Sequence, residues 1–229
     1  MKTIGLLGGM SWESTDLYYQ QINKMVQKKL GKLHFAKVIL ISVDFAEIEE
    51  LQRKGLWEDA GIYLRDQAIQ LEKAGADGIV LCTNTMHKVA TYIEESTNIP
   101  FIHIADATAM EIMSQKITKI GLLGTAFTME QDFYKSRLEE KGLKVITPNK
   151  ASRKIVHDII YNELCLGMIS EASQKKYIHI VEELISSGAE GIILGCTEIC
   201  MLIGDLKFSV PLFDTTSIHA QAAVDFVLS

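Results

Sequence analysis

The sequence has no apolar stretch long enough to span a membrane. Its apolar start, Ile4 to Met10, is broken by Gly5, Gly8 and Gly9 and followed by Trp12 and Glu13, so it has neither the length nor the flanks of a signal peptide. Runs of positive charge are missing as well. None is longer than Lys28-Lys29 and the formal net charge is −6, which argues against nucleic acid or an anionic membrane as partner and for a small soluble substrate. Cysteine is scarce: Cys82, Cys165, Cys196 and Cys200 show no disulfide-framework spacing in a chain of 229 residues, so free thiols and a cytoplasmic location are expected. Cys196 and Cys200 lie four apart, but no second Cys or His pair accompanies them, and no metal site is expected. Gly5, Gly8 and Gly9 do not fit G-x-G-x-x-G, nor do Gly121 and Gly124, and no G-x-S-x-G occurs. The expectation is therefore a protein working without a cofactor.

What the chain does have is 48% hydrophobic content, enough for a full core, and an internal duplication. Ile4-Gly-Leu-Leu-Gly-Gly9 recurs as Ile120-Gly-Leu-Leu-Gly-Thr125. Gly75-Ala-Asp-Gly-Ile-Val-Leu-Cys-Thr-Asn-Thr85 recurs as Gly188-Ala-Glu-Gly-Ile-Ile-Leu-Gly-Cys-Thr-Glu198, and Ile99-Pro-Phe-Ile-His103 more loosely as Val210-Pro-Leu-Phe-Asp214. The offsets, 116, 113 and 111 residues, are nearly constant, and they pair Asp77 with Glu190 and Thr83 with Cys196. Two like domains are expected, 1–103 plus about 214–229 and 104–213, with the site in the cleft between them.

Each half alternates short continuous apolar runs with helical patterns, which predicts an α/β fold of parallel sheets covered on both faces. Strands are expected at Thr3–Leu7, Lys37–Val43, Gly78–Cys82 and Phe101–Ile104, then at Lys119–Leu123, Lys144–Thr147, up to Gly195 and at Val210–Phe213. The spacing predicts helices over Tyr18–Lys29 with Ser14 or Thr15 as cap, over Ile48–Lys54 behind Asp44, over Thr128–Lys141, and from Cys196-Thr197 onward. Ligands in such folds sit beyond the carboxyl ends of the strands, where Met10, Thr83, Thr125 and Cys196 fall.

Cys196 is the residue best suited to chemistry: a thiol in the first turn of a helix would have its pKa lowered and could act as base or nucleophile. The same residue type is also a common inert core filler. Asn84, Thr85 and Thr197 offer short hydrogen-bonding groups for a carboxylate or enolate oxygen, or serve only as helix caps. Gln52 lies on a short helix that can clamp a substrate or merely face solvent, and Glu198 can bind an ammonium group or favour the helix dipole. Of the six histidines, His87 and His103 fall near strand ends.

Gly8-Gly-Met10, Thr83-Asn-Thr-Met-His87 and Gly195-Cys-Thr-Glu198, in this order and at matching strand ends, resemble the aspartate/glutamate racemases that work without pyridoxal phosphate. The resemblance spans the whole chain and implies two flavodoxin-like domains related by a pseudo-twofold axis, an amino acid as substrate and a homodimer. In that family two cysteines flank Cα, one removing the proton and the other returning one to the opposite face. Here the first of those positions holds Thr83, with Cys82 one residue back where the pleat turns its side chain into the sheet. The family's basic residues for a distal carboxylate match Glu49 and Cys165 in this chain, which leaves the particular amino acid open. The resemblance thus implies Thr83 and Cys196 as the catalytic pair, with Met10, Gln52, Asn84, Thr85, Thr125, Thr197 and Glu198 around the substrate. A decarboxylase or isomerase with one thiol, and an inactive amino-acid-binding regulator, are the alternatives.

Overall fold

The first glycine-punctuated run forms β1 (Thr3–Gly8), and Ser11 starts the helix that follows, its hydroxyl accepting the Ser14 amide at 3.3 Å. That helix, α1 (Trp12–Leu30), begins earlier than the periodicity predicts because Ser11, rather than Ser14 or Thr15, caps it. It buries Tyr18, Ile22 and Val26, one stripe at four-residue spacing. Then come β2 (Lys37–Ser42), α2 (Phe45–Lys54) behind the Asp44 cap, α3 (Trp57–Lys73) and β3 (Gly78–Leu81). A 3-10 turn (Thr85–Val89) leads into α4 (Ala90–Glu94), β4 (Phe101–Ile102) and α5 (Ile104–Ser114).

The second pass along the same plan gives β5 (Lys119–Gly124), α6 (Ala126–Glu130), α7 (Asp132–Glu140), β6 (Lys144–Ile146) and α8 (Lys150–Asn162). It continues through α9 (Glu171–Ser186), β7 (Ile192–Gly195), α10 (Ile199–Ile203), β8 (Leu212–Asp214) and α11 (Thr215–Leu228). The single helix expected over Thr128–Lys141 is two, parted at Gln131, whose backbone is extended.

This computed structural model describes residues 1–229, and the chain divides into one unit of Met1–Ile104 with His219–Ser229 and another of Ala105–Ile218. Each contains one four-stranded, all-parallel sheet, in the orders β2-β1-β3-β4 and β6-β5-β7-β8, the order of a flavodoxin-like half. Alternation along the central strands decides which layer each side chain joins. In the first unit Leu7, Ile79 and Leu81 pack with α2, α3 and α4, whereas Ile4, Leu6, Val80 and Cys82 pack with α1 and α11. In the second, Leu123, Ile192 and Leu194 join α8, α9 and α10. Each fully buried Leu or Ile of these layers is worth about 1.5–3 kcal/mol relative to exposure.

The duplicated acids do the same job twice. Asp77 accepts the Thr3 amide at 2.7 Å and Glu190 accepts the Thr118 amide at 2.7 Å, tying the approach to each inner strand to the start of its neighbour. Backbone hydrogen bonds from the Thr118 and Lys119 amides hold Glu190 below the usual carboxylate pKa.

Candidate functional site

In the first unit, β1 and β3 lie side by side and the candidates follow their carboxyl ends. Past Gly8 the turn is locked locally. The Gly9 amide donates to Thr15 Oγ1 at 2.8 Å, and the Thr15 hydroxyl donates to the Ser11 carbonyl at 2.8 Å. Gly9 has φ +95, a left-handed backbone, and a Cβ there would strike the Val43 backbone, so no other residue turns the chain at this point without strain. Met10, 5% exposed, packs in the core layer with Leu7, Leu81 and Met86, and Gln52 is buried with its Nε2 donating to Met86 Sδ at 2.8 Å.

At the end of β3, Cys82 is fully buried and its carbonyl accepts the Ser14 hydroxyl at 3.0 Å. Burial pushes its thiol well above the ordinary pKa, so it stays neutral. Thr83, the next residue, is half-buried, while Asn84 and Thr85 are buried. Asn84 makes no side-chain cap to the 3-10 turn it precedes. The turn is held from behind by His87, whose Nδ1–H donates to the Thr83 carbonyl at 2.7 Å while Nε2 accepts the Ile104 amide at 3.2 Å. Those partners fix the neutral Nδ1–H tautomer.

A buried imidazole cluster surrounds this point. The His87 ring lies 4.5 Å from that of His103 and 5.7 Å from that of His219, centroid to centroid. His219 bridges Tyr18, whose hydroxyl meets Nδ1 at 2.8 Å, and the Ile102 carbonyl, which accepts from Nε2 at 2.6 Å. Burial pushes the His219 pKa down to about 4. His87 stood near a predicted strand end; nothing in sequence marked His219, which α11 delivers from the far end of the chain.

In the second unit, Gly124 of β5 lies in register with Gly195 of β7, so the next residue on each strand, Thr125 and Cys196, emerges at the same sheet edge. Thr125 caps α6, accepting the Thr128 amide at 3.4 Å. Thr197 is buried and its hydroxyl accepts from that of Thr216 at 3.4 Å. The half-buried Cys196 donates its S–H to Glu198 Oε2 at 2.9 Å.

This overturns the expected electrostatics of the thiol. The helix begins at Ile199, three residues beyond Cys196, and is only five residues long, so its dipole does little at the sulfur. Burial, then the Glu198 charge and hydrogen bond, raise the Cys196 pKa well above its ordinary value. At rest this is a protonated thiol with a carboxylate as acceptor. Glu198 makes no side-chain cap to α10. Glu49 is exposed on α2 and Cys165 is exposed within the 3-10 turn Leu164–Leu166.

No three His, Cys, Asp or Glu side chains are grouped so as to hold a metal ion, and no helix is long and apolar enough to cross a membrane. Among known proteins, the chain is 23% identical to the broad-specificity amino-acid racemase RacX of Bacillus subtilis, over 99% of this chain and 98% of that protein. It is 56% identical to a Yersinia pestis protein crystallised as a candidate Asp/Glu racemase, with a TM-score of 0.96 and complete coverage of both chains. An aspartate racemase homologue from Pyrococcus horikoshii is 36% identical, with a TM-score of 0.88 and again complete coverage of both. The model of the Asp/Glu/hydantoin racemase family matches residues 7–223, and the chain belongs to that family.

Proposed function

We propose that the protein is a cofactor-independent amino-acid racemase in which Cys196 removes the α-proton of the L-enantiomer and Thr83 serves the opposite face. The observation that carries this reading is the contrast between the two candidate thiols at strand ends. Cys82 is sealed in the core and neutral, whereas Cys196 is half-buried and already hydrogen-bonded to a proton acceptor. Family membership supplies the reaction class. Met10, Gln52, Asn84, Thr85, Thr125, Thr197 and Glu198 are proposed to surround the zwitterion, Asn84, Thr85 and Thr197 by hydrogen bonds to its carboxylate. The proposed substrate is aspartate, glutamate or a wider set of amino acids, and the protein is proposed to work as a homodimer in the cytoplasm.

The test is proton exchange in D₂O. Wild-type protein is expected to wash the α-proton out of L-amino acids, and Cys196→Ser to abolish the exchange without loss of fold, since a hydroxyl is too weak an acid to supply the base. Full exchange by the serine variant would refute the mechanism. Carbon dioxide release in place of exchange would favour a decarboxylase.

A further inference from the structure

We infer that Glu198 is a catalytic residue that receives the thiol proton of Cys196 as the sulfur takes the proton from Cα. The inference rests on the reading above that Cys196 is the base, and it gives Glu198 a different task from holding the substrate ammonium.

Three observations converge. The S–H of Cys196 points at Glu198 Oε2 at 2.9 Å, so the resting pair is thiol plus carboxylate, and the thiol must lose that proton before it can serve as a base. Glu198 is the one carboxylate whose charge acts on the sulfur, and two other carboxylates of this unit are committed elsewhere. Glu163 accepts from the hydroxyls of Ser170 and Ser173, at 3.2 Å and at 2.6 and 2.8 Å, bracing the start of α9. Asp214 accepts the Thr216 and Ser217 amides and the Ser217 hydroxyl, capping α11. Glu198, half-buried and capping nothing, is the carboxylate left to act on the sulfur. The remaining titratable neighbours are Cys165, Cys200 and Tyr177, all weaker bases in their neutral forms than a carboxylate.

The step balances without an added reagent. The Cα–H bond breaks and its electron pair spreads into the substrate carboxylate. Its proton bonds to Sγ while the S–H proton passes to Glu198 Oε2. The Thr83 hydroxyl then gives a proton to the other face of Cα and recovers one from water, and Glu198 releases its proton to solvent when product leaves.

The experiment pairs two readouts on Glu198→Gln, which keeps the size and a hydrogen-bond acceptor but cannot take the proton. Exchange of the α-proton in D₂O is expected to fall about 100-fold, the lower range for loss of a general base. Iodoacetamide labelling of Cys196, followed by peptide mass at one fixed pH to separate it from exposed Cys165, is expected to rise, because the charge opposing thiolate formation is gone. Opposite signs are not what a misplaced thiol produces. Glu198→Asp should keep labelling low and retain part of the exchange. Wild-type exchange in Glu198→Gln, or a fall in both readouts, would overturn the inference. If Cys196→Ser is inactive while Glu198→Gln is fully active, the role of Glu198 fails alone; if Cys196→Ser still exchanges, the parent reading fails.

Discussion

Cys82→Ala separates packing from chemistry more sharply than any other single change. Cys82 is fully buried in the layer formed by Ile4, Leu6, Tyr18, Val80 and Ala220. Deleting its sulfur removes one apolar heavy atom, about 0.8 kcal/mol by analogy with a buried methylene. The void left is about 25–30 Å³, which at about 24 cal/mol per Å³ adds about 0.6–0.7 kcal/mol. The total, about 1.5 kcal/mol, corresponds to about 3–6 °C in thermal midpoint for a chain of this size. The Thr83 backbone is held independently by His87, so turnover should stay close to wild type. Thermal unfolding followed by circular dichroism, together with α-proton exchange in D₂O, reads both quantities from one preparation. An unchanged midpoint with lost exchange would mean that Cys82, rather than Thr83, serves the first face.

Three further outcomes follow from the same geometry. Thr83 is a far weaker acid than a thiol, so L-substrate should lose its α-proton faster than D-enantiomer appears, and Thr83→Cys should bring the two rates closer; an unchanged ratio would show that another group protonates that face. The neutral His219 has a folded pKa of about 4 against about 6.5 unfolded, so the unfolded chain takes the proton first. Stability from this residue is intact above about pH 6.5, falls between about 6.5 and about 4 by roughly 3 kcal/mol, and is level below. His219→Gln should flatten that part of a melting-temperature profile, and an identical acid decline in the variant would place its origin elsewhere. Gly195→Ala puts a Cβ 2.8 Å from the Leu123 carbonyl, a backbone atom that cannot move aside cheaply. A loss of about 1–3 kcal/mol is expected together with reduced exchange, because the displaced strand end carries Cys196, and a neutral result in both would remove the argument for close β5–β7 approach.

The repeated glycine-bounded runs made the inner strands legible, because buried parallel strands must be continuously apolar and Ile4–Gly8 and Ile120–Gly124 satisfy that rule identically. The burial of Cys82 was readable from the pleat, since one residue along a strand reverses the face. Helix starts were read less well: Ser11 and Ile199 open helices where Ser14 or Thr15 and Cys196 were expected, since several residues in each stretch can cap and only the local backbone chooses. The charge state of Cys196 was out of reach. It depends on where the Glu198 side chain turns, two residues away in a turn that was expected to be helix, and propensity says nothing about that rotamer. His219 was hidden for a different reason, its partners Tyr18 and Ile102 lying 201 and 117 residues away along the chain.

The helix that completes the first unit follows the whole of the second unit along the chain. Its Ala220, Ala223, Val224 and Val227 cover Ile4, Leu6 and Val80, and the Lys2 amide reaches back to the Val227 carbonyl at 3.0 Å. On the ribosome, therefore, the second unit, continuous from Ala105 to Ile218, has its whole sequence available while the first still waits with one face of its sheet uncovered. A chain ending at Ile218 would lack no proposed catalytic group yet would expose that apolar face, giving an aggregation-prone product rather than a slower enzyme.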